Sequence, residues 1–216
     1  ALFKGQEIHD EILSRGLLHR NLIIANSLID MYGNCGMVMK AKDVFDSMAS
    51  HDVVSWTSLM TGYVKCAYNK EAVQCLESMQ GHEGIAPDSA AFVCCLKACL
   101  IEDKGGYMHG EIIKKGLERE VLIGNALIDM YVYHGLIESA REVLCKMPCR
   151  DIVSWTTLIG GYIKQGYSQE ALDCLAKLPC ERITSNTYTL MFGLKACGNL
   201  GAEMKGREIH SEIVMK

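Results

Sequence analysis

Apolar residues in this chain recur at offsets of +3, +4 and +7, the spacing that lines one face of an α-helix. Ala25/Leu28/Ile29/Tyr32 form one such stripe, and Trp56/Leu59/Met60/Tyr63 and Phe92/Cys95/Leu96/Cys99 repeat it. Gly124/Leu127/Ile128/Tyr131 and Trp155/Leu158/Ile159/Tyr162 continue the series. A second series begins each time with a small residue: Ala41/Val44/Phe45/Met48, Ala72/Cys75/Leu76/Met79, Ala140/Val143/Leu144/Met147 and Ala171/Cys174/Leu175/Leu178. The small residue lets two antiparallel helices approach closely, and the larger ones then interlock. Gly36, Gly135 and Gly166 fall between the two series, where a left-handed residue can end the first helix. Pro87, Pro148 and Pro179 lie beyond the last core position of a second helix. No window alternates with period two. The predicted fold is therefore all-α, about a dozen short helices forming a right-handed α-solenoid of tandem helix-turn-helix repeats.

The pattern also repeats on a longer scale. NSLIDMY at Asn26–Tyr32 and DVVSWT at Asp52–Thr57 return as NALIDMY at Asn125–Tyr131 and DIVSWT at Asp151–Thr156, carrying the only two tryptophans, Trp56 and Trp155. Self-similarity of this kind marks an array in which each unit packs on its neighbours. Aligning on Asn26, Thr57, Asn125 and Thr156 gives units 22–52, 53–88, 89–120, 121–151 and 152–186. Partial long units, 1–21 and 187–216, flank them. The chain begins without Met and opens and closes on pieces of the same unit. We read it as part of a longer protein whose targeting segment and any terminal catalytic domain lie outside this sequence.

Composition narrows the chemistry. An apolar share of 49% with 22% charged residues excludes wholesale disorder. No apolar run is long enough to span a membrane, so no membrane partner is expected. Of the 11 cysteines, Cys75, Cys95, Cys99, Cys174 and Cys197 fall on the apolar stripes, where a thiol packs as a small hydrophobe. Three His-x-Glu triplets, His9–Glu11, His109–Glu111 and His210–Glu212, match the first half of a zinc deaminase signature. The second half is missing, because neither Pro148-Cys149 nor Pro179-Cys180 is followed by the cysteine that would complete a metal cage. The triplets recur with the long unit, between apolar anchors such as Ile8 and Ile12, Met108 and Ile112, and Ile209 and Ile213. Phosphate loops, nucleophile elbows and dinucleotide fingerprints do not occur, so neither an enzyme nor a cofactor is expected.

What remains is the polar face of the first helices. Positions two, five and nine of each unit share a face: Ile23/Asn26/Asp30, Val54/Thr57/Thr61, Leu122/Asn125/Asp129 and Val153/Thr156/Gly160. Asp52, Asp88, Asp151 and Asn186 end the same four units. One reading makes these Asn, Thr and Asp residues local helix-start and turn groups. The other makes them a row of hydrogen-bonding pairs, each addressing one planar polar group while the aliphatic neighbour packs on its face. Spacing alone leaves both open.

The units resemble pentatricopeptide repeats of the plant type that alternates ordinary, long and short motifs, over essentially the whole chain. The resemblance rests on NALIDMY in a short unit and on D-[IV]-V-S-W-T followed by G-Y. It also rests on LKAC at Leu96–Cys99 and Leu194–Cys197 and on G-x-x-I-H-x-E-I at Gly5–Ile12 and Gly206–Ile213. Tetratricopeptide repeats keep a different signature. Two departures stand out: the long unit from Ser89 is about three residues short around Ile101–Lys104, and the last second helix runs out at Lys216.

In that family one repeat reads one base of single-stranded RNA, the fifth and last residues selecting it and the second residues sandwiching it. The resemblance implies that Asn26 with Asp52, and Asn125 with Asp151, prefer uracil. Thr57 with Asp88 would prefer guanine and Thr156 with Asn186 adenine, while Val93 with Glu120 matches no pair. Ile23, Val54, Leu122 and Val153 would sandwich bases, and Lys65 and Lys164 are similar to family lysines that meet phosphates. The implied RNA core is 5′-UGNUA-3′. The resemblance further implies an organellar protein, of mitochondrion or chloroplast, that specifies cytidines for C-to-U editing with an editing cofactor or deaminase domain outside this chain. Splicing or transcript stabilisation are weaker possibilities. A helical scaffold holding a peptide in its concave face is the alternative from another class. A net charge of −4 sets this chain apart from most nucleic-acid binders, so base contacts and a shallow salt slope are expected.

Overall fold

Every first helix with a strong start signal is nucleated by the residue that ends the preceding unit. In the computed structural model, which describes residues 2–18, 21–81, 84–100 and 104–215, Asp52, Asp88, Asp151 and Asn186 are N-caps. Their side-chain oxygens accept the N–H of Ser55, Ala91, Ser154 and Thr189 at 2.7, 2.9, 2.9 and 2.8 Å, satisfying one orphan donor of each first turn. The first helices are α2 (Leu22–Asn34), α4 (Val53–Lys65), α6 (Ser89–Ala98), α8 (Val121–Tyr133), α10 (Ile152–Gln165) and α12 (Thr187–Leu200). Alternating with them are α1 (Leu2–Ser14), α3 (Val38–Asp46), α5 (Asn69–Gly81), α7 (Gly105–Lys114), α9 (Ile137–Lys146), α11 (Ser168–Lys177) and α13 (Glu203–Met215). Short 3₁₀ turns at Leu117–Arg119 and Pro179–Glu181 complete the described structure, which contains no strand among the described residues. Ile101, Glu102 and Asp103 of the shortened long unit lie outside the described residues, as do Ala1, His19 and Arg20 of the first partial unit and Lys216 at the end of the last.

The helices form two packing units, Ala1–Gly110 and Glu111–Lys216. In the first, α2 packs on α3 and α4, and α4 on α5 and α6. The leading alanines Ala41 and Ala72 are fully buried, as their role at a close helix approach requires. Gly33 of α2 and Gly62 of α4 meet backbone to backbone, and a Cβ built on Gly33 would stand 3.0 Å from the Gly62 Cα. In the second unit α8 packs on α9 and α10, α10 on α11 and α12, and α12 on α13. Here Val132 fills the place of Gly33, so a Cβ on Gly161 would meet Val132 Cγ2 at 2.7 Å.

The predicted stripes form the cores of both units, although Leu175 of α11 is only half-buried. Tyr131 is half-buried, and the adjacent Met130 takes the covered position in α8. Among the anchors of the His-x-Glu triplets, Met108, Ile112 and Ile209 are buried but Ile8 and Ile213 are exposed. In α1 the covered face carries His9, whose Nδ1 lies 2.8 Å from the Tyr32 hydroxyl, and Ile8 is turned about 100° from it. Ile213 sits in the last turn of α13 and borders an open cleft with Leu190, Met191 and Leu194. Cys75, Cys95, Cys99, Cys174 and Cys197 are buried thiols outside any disulfide. Burial pushes Cys75 up to about 12, Cys174 up to about 11 and Cys95 in the same direction, so these thiols stay protonated and inert.

Candidate nucleic-acid interface

The helix-start reading and the paired-residue reading hold at once for two of the four units. Asp52 caps α4 and, at the same time, accepts from Asn26 Nδ2 of the preceding first helix at 3.3 Å. In the second packing unit Asn125 Nδ2 donates to Asp151 Oδ1 at 3.2 Å while that carboxylate caps α10. A capping box, in which Ser55 and Ser154 also accept the N–H of their cap residues, fixes each carboxylate. The fifth and last residues of these units are therefore held at a set distance before any ligand arrives.

Electrostatics follows from those bonds. Burial alone raises the Asp52 carboxyl, but hydrogen bonds from the Ser55 N–H and hydroxyl and from Asn26 outweigh it and hold the carboxyl below its ordinary value. Asp151 is lowered by the same balance, with Ser154 and Asn125 as donors. Both are acceptor-only carboxylates at neutral pH.

The threonine units are built differently. Thr57 Oγ1 donates to the Val53 carbonyl at 2.7 Å, and Thr156 Oγ1 to the Ile152 carbonyl at 2.5 Å. Neither hydroxyl is spent on the last residue of its unit. Each oxygen keeps acceptor capacity, with exposed Asp88 at the end of one unit and half-buried Asn186 at the end of the other. Asn186 Oδ1 receives the Thr189 N–H, which leaves its amide N–H groups as donors. Val93 is half-buried on α6, and Glu120 occupies the N-cap position of α8 without a side-chain capping bond.

Beside these polar groups the second residues stand out in solvent. Ile23 is 77% exposed, Val54 and Leu122 56% and Val153 51%. Each precedes its Asn or Thr by three residues and so shares its helix face. An aliphatic side chain left open beside a preset hydrogen-bonding group is suited to cover the face of a planar polar ring.

The two lysines are exposed at the far ends of their helices. Lys65 Nζ donates to Asn34 Oδ1 at 2.5 Å, and Lys164 Nζ sits 5.6 Å from the centre of the Tyr133 ring. Asn34 and Tyr133 are position thirteen of the preceding units, and sequence spacing alone did not single them out. Ser55 and Ser154 were also missed, although a serine three residues after a cap aspartate is itself a capping-box signal. Ser154 Oγ reaches Asn125 Oδ1 at 2.5 Å, whereas Asn26 Oδ1 is buried with no hydrogen-bond partner. Among the described residues no three His, Cys, Asp or Glu side chains are placed to share a metal ion.

Comparison with known proteins places these features in context. The model of the PPR repeat family matches residues 51–100 and 150–199, and the PPR repeat model matches 23–53 and 125–152. A chloroplastic pentatricopeptide repeat-containing protein of Arabidopsis thaliana is 34% identical over 214 residues, covering 98% of this chain and 34% of that protein. A putative pentatricopeptide repeat-containing protein of the same plant is 37% identical over 216 residues, covering 98% of this chain and 31% of its own length. A mitochondrial one is 34% identical over 158 residues, covering 72% of this chain and 20% of that protein. The chain thus spans about a third or less of the curated relatives it matches. The crystal structure of the pentatricopeptide repeat protein PPR10 in complex with an 18-nt psaJ RNA element superposes with a TM-score of 0.77 at 20% identity, over 98% of this chain and 32% of that one. That likeness establishes the helical-repeat fold.

Proposed function

Because this chain belongs to the PPR repeat family, we propose that it binds single-stranded RNA sequence-specifically, one repeat to one base, and that Asn26/Asp52, Thr57/Asp88, Asn125/Asp151 and Thr156/Asn186 select the bases. The observation that carries the reading is the preset Asn–Asp pair beside an exposed aliphatic residue, present at Asn26–Asp52 with Ile23 and again at Asn125–Asp151 with Leu122. PPR10, with which the fold is shared, was crystallised with RNA.

Hydrogen-bond inventory supports a base for each pair. In an Asn–Asp unit the amide nitrogen is turned to the carboxylate, so its oxygen is an acceptor and its second N–H a donor. Uracil matches with its N3–H and carbonyl oxygens. Thr57 has committed its proton to Val53 and Asp88 only accepts, so that pair favours an edge rich in donors, which guanine supplies through N1–H and N2–H₂. Thr156 accepts while the Asn186 amide donates, complementary to adenine N6–H₂ and N1. Ile23, Val54, Leu122 and Val153 pack on base faces, and Lys65 and Lys164 meet phosphates. The proposed core is 5′-UGNUA-3′, with the base at the unit of Val93 and Glu120 left undefined.

The proposed target is an organellar transcript, in keeping with relatives named chloroplastic and mitochondrial. The proposed task is to specify a site for C-to-U editing, with the chemistry supplied by a deaminase domain or editing cofactor outside this sequence. Competitive binding of the chain to a short UGNUA RNA and to a pool with the four defined bases scrambled tests the reading. A preference of about 1 kcal/mol or more per correct base is expected. Equal binding would contradict it and promote a peptide-binding scaffold.

A further inference from the structure

The two Asn–Asp units share their sequence motif but not their hydrogen-bond state. Asn26 is 7% exposed, its Nδ2 is turned toward Asp52, and its Oδ1 is buried without a partner. Asn125 has its Nδ2 turned the same way, but its Oδ1 lies 2.5 Å from Ser154 Oγ. The serine has a single hydroxyl proton and two acceptors in reach, Asn125 Oδ1 and, at 2.9 Å, Asp151 Oδ1. In the first unit the matching Ser55 hydroxyl is 2.8 Å from Asp52 Oδ1.

A buried acceptor without a donor raises the free energy of the unliganded state, and a ligand N–H placed on it removes that penalty. An acceptor already served by a neighbouring hydroxyl offers no such gain. Resting on the RNA reading above, we infer that the two uracil positions are read with unequal stringency: Asn26 is the strict reader, and Ser154 makes Asn125 a permissive one. Uracil carries one donor on its pairing edge, N3–H, and cytosine has a bare lone pair at the same ring position. At Asn26, with the amide held by Asp52, exchange of that donor for a lone pair leaves the buried Oδ1 orphaned in the complex. At Asn125 the same exchange leaves Oδ1 with its serine partner.

The test is a titration of the 216-residue chain with UGNUA RNA, holding N as one base, and with its two single cytidine versions, CGNUA and UGNCA. Cytidine at the first position should weaken binding about tenfold or more, and at the fourth position less than about threefold. Ser154→Ala should then raise the fourth-position penalty toward the first. The fold tolerates alanine at this point of a capped helix, since Ala91 occupies it in α6. Equal penalties at the two positions in the unaltered chain, or a larger one at the fourth, would overturn the inference while leaving RNA reading intact. Failure to prefer UGNUA over a scrambled RNA would overturn the RNA reading and this inference with it.

Discussion

Asn26–Tyr63 and Asn125–Tyr162 are two copies of one sequence pattern, and they show which parts of it are fixed and which drift. Both copies keep the Asn–Asp pair, the capping box and a buried tryptophan. They differ where the copies lean on neighbours. In the first, His51 Nε2 lies 2.9 Å from the Phe45 carbonyl oxygen, while its ring stacks on Phe45 with centres 3.9 Å apart and lies edge-on to Trp56. In the second, Arg150 takes the place of His51, bonds the Leu144 carbonyl at 2.8 Å and pairs with Glu181 at 2.6 Å, and that carboxylate also accepts from Trp155 Nε1 at 3.3 Å. The same groove between loop and helix is closed by stacking in one copy and by an ion pair in the other. The Asn–Asp pairs and caps are thus held constant while the packing behind them is interchangeable.

The strongest way to break the comparison is to remove what both copies share. Trp56→Ala and Trp155→Ala should each destabilise the chain by about 3–5 kcal/mol in denaturant unfolding, because both indoles are almost fully covered. A large loss for one and a negligible loss for the other would show that the copies do not use the ring alike. Next come the glycine contacts, where the copies differ. Gly161→Ala should cost about 1–3 kcal/mol and Val132→Ala in the same chain should recover part of it, since the clash is with a side chain. Gly33→Ala should cost a similar amount, yet trimming side chains should not help, because its neighbour is the backbone of Gly62.

Smaller still is the effect of the shared carboxylates. Asp52→Ala or Asp151→Ala should each remove about 0.5–2 kcal/mol of cap stabilisation. Both groups have folded values below the ordinary 3.8, so their contribution is complete above that value and is lost as pH falls through the lowered folded values. Thermal unfolding measured downward from neutral pH should therefore hold steady until below pH 4 or so, and the Asp52→Ala and Asp151→Ala chains should show a weaker acid loss. Smallest is Glu181→Gln, expected to cost about 0.5 kcal/mol in the second copy through its partly exposed ion pair.

The helical stripes were legible in the sequence because a 3.6-residue period acts locally and repeats many times, so Ala41, Trp56 and Leu158 could be assigned to a core from spacing alone. The exceptions are Tyr131 and Leu175, half-buried beside covered neighbours, and the exposed Ile8 and Ile213. The polar row was legible as a face, and its pairing with the unit ends only as one of two open readings. Asn26 and Asp52 lie 26 positions apart, and their meeting depends on how one helix stacks on the next. Arg150–Glu181, Lys65–Asn34 and Lys164–Tyr133 were hidden for the same reason. The different partners of Ser55 and Ser154 could not be read at all, since both stand three residues after a cap aspartate in closely matching motifs.

The central claim is that a fifth residue and a last residue together choose one base. Its most direct test is to recode a single repeat. Thr57→Asn, with Asp88 left in place, gives the second unit the same pair as Asn26 with Asp52. Binding should move from UGNUA to UUNUA, with the preference inverted at the second base and unchanged at the others. A chain that keeps its preference for guanine there, or that weakens equally toward all RNAs, would contradict the account.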